Sequence, residues 1–167
     1  MGKEALTLWD YATGLYQRPG VASECLRLQD SLDLDVCLLL FVAWLSDRGL
    51  TLTDKNLKQV TDSCRTWRQE VVLPLRERRR RWKTDLAHSW EYEALKGLEL
   101  QAEREQMDHM EASARSFARD DTEKPSASPG NLPALGSDTL LRNLETLSSS
   151  LAIPLESLSA LREAVSA

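Results

Sequence analysis

The chain has 167 residues, of which 42% are hydrophobic and 28% charged, with a net charge of -5 and an isoelectric point near 5.1. That length supports one compact domain with a real core plus a tail, and it excludes two large domains. The acidic total opposes general polyanion binding, which depends on cations neutralising phosphates, so any such contact has to be local.

Helical spacing runs through the whole chain, no stretch alternates long enough to nominate a strand, and the predicted fold is all-α. Thr7 can cap a first helix carrying Leu8, Trp9, Ala12, Leu15 and Tyr16, which Arg18-Pro19-Gly20 ends. Val21 opens a second, whose stripe Val21, Cys25, Leu28 and Leu32 gives one buried face running out near Asp33. Asp33 or Asp35 caps the third helix, Val36 to Arg48, which is apolar almost all round and therefore central, with Gly49 as its C-terminal cap. Its ten-residue apolar run, Val36 to Leu45, falls well short of the roughly 20 residues that a bilayer requires. No membrane anchor or secretory signal is expected.

Thr53 can cap a fourth helix with the stripe Leu57, Val60, Cys64, Trp67 and Val71. The pattern then meets Pro74, which removes a hydrogen bond and clashes with the Glu70 carbonyl. At 100° per residue, Leu75, Trp82 and Leu86 return to the same face, so a continuous helix kinked near Pro74 is predicted. Near His88 the phase fails and the chain turns. A helix from about Glu91 to Ala118 follows, with a thin stripe of Tyr92, Leu95, Leu98 and Ala102.

The bundle domain is thus assigned to residues 1–118. The Pro-, Ser- and Gly-rich segment 119–137 is a linker, and 138–167 a leucine-rich helical hairpin. Ser137 or Asp138 can cap its first helix, with Leu140, Leu141, Leu144, Leu147 and Leu151, and Pro154 suits the first turn of the second. Too short to bury both faces alone, the hairpin either docks on the bundle or meets a partner.

Several blocks occur in order: Leu8-Trp-Asp-Tyr-Ala-Thr, Arg18-Pro-Gly-Val-Ala, Leu34-Asp-Val-Cys-Leu-Leu-Leu and Trp67-Arg-Gln-Glu-Val-Val-Leu-Pro-Leu-Arg. With Leu98-Glu-Leu-Gln-Ala-Glu-Arg-Glu-Gln they make the chain resemble, over roughly residues 7–110, an uncharacterised family of short bacterial helical proteins, a domain of unknown function. The resemblance implies a bacterial origin and transfers no activity, cofactor or site.

The chemistry-bearing feature is Leu73 to Lys83, where six cations stand against one acid, Glu77. Arg76, Arg78, Arg80, Arg81 and Lys83 are expected to form an outward ridge that binds a partner. Arg79 falls inside the apolar stripe and is expected either to snorkel or to form a structural ion pair with an acid such as Asp10, Asp33 or Asp35. An acidic protein surface is the expected partner of a non-enzymatic interaction module. RNA is the alternative, with Trp67 and Trp82 available for stacking if exposed. An enzyme with carboxylates gathered in a helical pocket is the third reading, since such residues meet only after folding.

Asp30, Asp33 and Asp35 are better explained by helix surface and capping than by a metal or acid-base cluster. His88 and His109 lack zinc spacing, and Gly14, Gly20 and Gly49 form no phosphate loop. No catalytic residue, metal or cofactor is assigned. Cys25, Cys37 and Cys64 lie on apolar stripes, and their odd number and spacing oppose a disulfide framework, which points to a reducing cytoplasm. Oligomeric state is left open.

Overall fold

The structure is a computed structural model and describes residues 6–84, 88–117 and 137–167. It is all-α, with no strand among those residues. The elements are α1 (Leu8–Tyr16), α2 (Val21–Leu32), α3 (Val36–Asp47), α4 (Asp54–Trp67), a π-turn (Arg68–Val72), α5 (Leu73–Trp82), α6 (Ser89–Phe117), α7 (Ser137–Leu151), a 3-10 turn (Leu155–Leu158) and α8 (Ser159–Ser166). Leu86 and most of the 119–137 linker lie outside the described residues, as does the cap of α7, since Ser137 is already helical.

Three caps are set by side chains that accept from an otherwise orphaned N–H: Thr7 from Asp10 N at 3.1 Å, Asp35 from Cys37 N at 3.0 Å and Thr53 from Asn56 N at 3.2 Å. Asp35 thus caps α3, while Asp33 closes α2 in the left-handed region at φ 51°. Gly49 follows α3 at φ +68°, a conformation that carries little strain only without a Cβ.

α3 is the centre of the bundle, packed against α1, α2, α6 and α7, which explains why it is apolar on every side. Phe41, Val42 and Leu45 are wholly buried. Leu32, predicted to complete the α2 stripe, is exposed instead at the end of its helix.

The path from Asp54 through the π-turn to Trp82 lies antiparallel along α6. Gln59 meets Ser116, Trp67 meets Ala102, Arg76 meets Glu99 and Trp82 meets His88, so numbers fall on one helix as they rise on the other. The disturbance predicted at Pro74 takes the form of the π-turn just before it, within a helical path that does not stop. A π-turn shifts the hydrogen-bond register by one residue, which accommodates a proline that can neither donate nor tolerate the carbonyl four residues back.

The C-terminal hairpin docks on the bundle and shares its core through Leu140, Leu144, Leu147, Leu158, Leu161 and Val165. Asn143 anchors it: its Oδ1 accepts from Leu52 N at 2.7 Å, and its Nδ2 donates to Ser46 Oγ and Leu50 O, both at 2.9 Å. Arg18 and Arg27 reach across from the α1–α2 side, donating to Val165 O at 3.2 Å and Ser157 O at 2.7 Å.

Candidate functional site: the cationic helix and the charge network beneath it

Helix α5 divides its cations between the inside and the outside of the molecule. Arg76, expected on the ridge, is buried instead, with its side chain 6% exposed. Its Nε donates to Glu99 Oε1 at 2.9 Å and its Nη2 to Glu103 Oε1 at 2.6 Å. Arg79 forms an ion pair as well, but its partner is Glu99, bound through both Nε and Nη2, and not Asp10, Asp33 or Asp35.

The cause is the π-turn. Its extra residue shifts the inward face at the start of α5, although Arg79 keeps the inward place counted for it. Val72 is therefore fully buried where the unbroken count selects Val71, and Arg76 occupies the inward place counted for Leu75.

The remaining four expected residues, Arg78, Arg80, Arg81 and Lys83, are exposed. Arg80 pairs with Asp30 of α2 at 2.6 Å and Arg81 with Glu77 one turn back, and in both pairs the two side chains face solvent. The side chains of Arg78 and Lys83 have no ion-pair or hydrogen-bond partner among the described residues.

Beneath the ridge the charges continue as one network. Asp35, besides capping α3, accepts from Gln106 Nε2 and lies 3.4 Å from Arg68 Nε at the start of the π-turn. Burial alone lowers Arg76, yet Glu99 and Glu103 outweigh it and leave the guanidinium above its usual value. Hydrogen bonding to Glu99 likewise holds Arg79 high. For Glu99, burial pushes the carboxyl up, but the hydrogen bonds from Arg79 and Arg76 win and hold it below the usual range. Burial dominates at Glu103, which is raised despite the opposing pull of Arg76.

The two carboxylates therefore act on stability with opposite sign. Glu99 contributes stability above the ordinary carboxylate value that is lost as pH falls through its lowered value. Glu103 contributes fully below the ordinary value, and its contribution is lost as pH rises through its raised one. Glu99→Gln is expected to be less stable than wild type at neutral pH, with a gap that closes as pH drops below the carboxylate range. Thermal unfolding from pH 7 to pH 3 checks this, and a gap that is constant with pH would contradict the assignment.

Glu99, Glu103 and Gln106 were missed as site residues in the sequence. Their signal was a polar intrusion on a helical stripe: Leu95, Glu99, Ala102, Gln106 and Met110 are all buried at steps of three and four. Leu98, predicted on that stripe, is 55% exposed.

Trp67 and Trp82 are both half-buried. Trp67 Nε1 donates to Ala102 O at 2.8 Å, and the Trp82 ring stacks on His88 at 5.1 Å. The three cysteines are buried free thiols. Burial pushes Cys25 up to about 12, Cys64 up to about 11 and Cys37 well above its usual value, so none is a ready thiolate. Among the described residues no three His, Cys, Asp or Glu side chains converge to hold a metal ion, and no helix is long and apolar enough to cross a membrane.

No curated protein and no solved structure matches the chain. Residues 7–110, more than half of the chain, match the model of the family described as "Protein of unknown function (DUF2390)", and the chain belongs to that family.

Proposed function

We propose that this chain is a non-enzymatic helical interaction module of the bacterial cytoplasm, an adaptor that docks an acidic protein partner on Arg78, Arg80, Arg81 and Lys83. The observation that carries this reading is the exposed charge on α5: the side chains of Arg78 and Lys83 lack a partner among the described residues, and Arg80 and Arg81 hold only exposed ones. Exposed ion pairs are worth about 0–1 kcal/mol, so exchanging Asp30 or Glu77 for a partner's carboxylate costs little. Arg76 and Arg79 belong to the foundation of the ridge, since both are engaged by Glu99. Three buried reduced thiols suit the cytoplasmic setting.

An acidic protein is favoured over RNA because Trp67 and Trp82, the aromatics expected to stack bases, are already engaged, one with Ala102 and one with His88. Titration with a polyglutamate peptide and with an oligouridylate, at about 50 mM and about 300 mM salt, tests the reading. Peptide binding should weaken by about tenfold across that range, because exposed charges are screened. Joint replacement of Arg78, Arg80, Arg81 and Lys83 by alanine should cost about fivefold or more at low salt. An affinity indifferent to salt and to the four substitutions overturns the proposal, as does tighter binding of the oligouridylate than of the peptide.

A further inference from the structure

On the other side of the Arg79–Glu99 pair, a cavity of about 320 Å³ opens between α1, α2, the start of α3 and α6. Its walls are largely apolar, formed by Trp9, Tyr16, Leu26, Leu40, Leu100 and Met107. Leu26 and Leu100 remain 46% and 50% exposed at this opening. The volume sits at the lower end of the range for small-molecule sites, about 300–1,000 Å³.

One polar side chain in the lining is conspicuous for what it lacks. Gln29 is 8% exposed, yet its carboxamide makes no hydrogen bond among the described residues. The amide nitrogen and oxygen are not sealed off from solvent, so a nine-tenths buried carboxamide with no protein partner offers its donors and its acceptor to a group that enters from the cavity.

The charges of the lining define what that group is. Arg79 and Lys96 face Glu99 and Glu103, two cations against two anions. Each already has an opposite charge within the chain: Arg79 with Glu99, Glu103 with Arg76, and Lys96 with Glu93 at 3.3 Å. No unmatched charge is left to select an ionic ligand, and a charged one entering among apolar walls loses hydration without a counter-ion.

We propose that this cavity binds a small uncharged molecule with a flat apolar body and a carboxamide-like head. The body lies against Trp9, Tyr16, Leu26 and Leu100, and the head both donates to and accepts from Gln29. A primary amide is the natural complement, because it meets the Gln29 carbonyl and NH2 together through two parallel hydrogen bonds. Water alone would satisfy Gln29 but would leave the two exposed leucines wet, whereas an apolar body covers them.

Benzamide is the probe, compared with toluene, benzoate and benzylamine, and binding is read by NMR from the Trp9 indole and Gln29 side-chain amide signals of the full chain. Benzamide should bind saturably with a dissociation constant of about 1 mM or below, a plausible affinity for so small a ligand. The other three should bind at least about tenfold more weakly, the loss expected when a buried hydrogen-bonding pair is broken. Gln29→Leu should cost a similar factor while keeping the wall filled. Thr13→Trp places bulk at an exposed position of the lining and should block entry without touching the core. No saturable shift with benzamide overturns the proposal, and so does equal binding by toluene or by a folded Gln29→Leu protein. None of these readouts involves α5, so their failure leaves the ridge proposal standing and the reverse also holds.

Discussion

Replacing Glu99 by alanine is expected to destabilise the protein by about 3–5 kcal/mol at neutral pH, the usual loss when one partner of a buried ion pair is removed. Glu99 and Arg76 are 7% and 6% exposed in their side chains, so the abandoned guanidinium cannot simply turn to water. Glu103 holds Arg76 by its other nitrogen and softens the loss without cancelling it. Arg79 is better placed to escape, with its side chain 20% exposed on a long stem. The pair itself need not be a net stabiliser, because an apolar replacement of both members avoids desolvating two charges. Arg76→Met combined with Glu99→Leu should therefore cost clearly less than Glu99→Ala alone. Urea unfolding of the wild type, the single and the double variant decides this. A single variant within about 1 kcal/mol of wild type would mean that the network is solvated and carries no such strain.

The second large effect is expected at Asn143. Asn143→Ala removes three hydrogen bonds from a fully buried site and leaves the N–H of Leu52 and the carbonyl of Leu50 without their partner. Each buried group so abandoned costs about 1–3 kcal/mol, and the total should reach about 3 kcal/mol. The loss falls on one place in the structure, the contact between α7 and the α3–α4 connection. Amide exchange over residues 137–167 should accelerate more than exchange in α3, which keeps its other neighbours. Uniform acceleration across the chain would show instead that the hairpin and the bundle unfold as one unit.

The two effects left different marks in the sequence. Asn143 sits within the Leu140, Leu144 and Leu147 stripe of a short helix, and the sequence leaves open whether that stripe meets the bundle or another molecule. Only the fold puts its carboxamide opposite the turn at Leu50 to Leu52. Glu99 left a faint mark, a polar residue on the stripe of Leu95 and Ala102, but a glutamate among many on α6 is ordinary until its phase on the helix is known.

The all-α class, the order of the helices, the caps at Thr7 and Thr53 and the central place of α3 follow from local chemistry alone, while the choice of Asp35 over Asp33 as the cap of α3 came from the fold. A cap needs only one oxygen at the right offset, and a helix apolar on all sides has no face to give to water. Which arginine points where was decided by tertiary structure. The Pro74 disturbance was legible, but its form, a π-turn over Arg68–Val72, depends on packing against α6, and that turn brought Arg76 inward and left Arg78, Arg80, Arg81 and Lys83 outside. Periodicity counted along one helix keeps its phase only while the turn keeps its width. The partners that make burial of Arg76 and Arg79 tolerable come from a helix some twenty residues on, where no local pattern could name them.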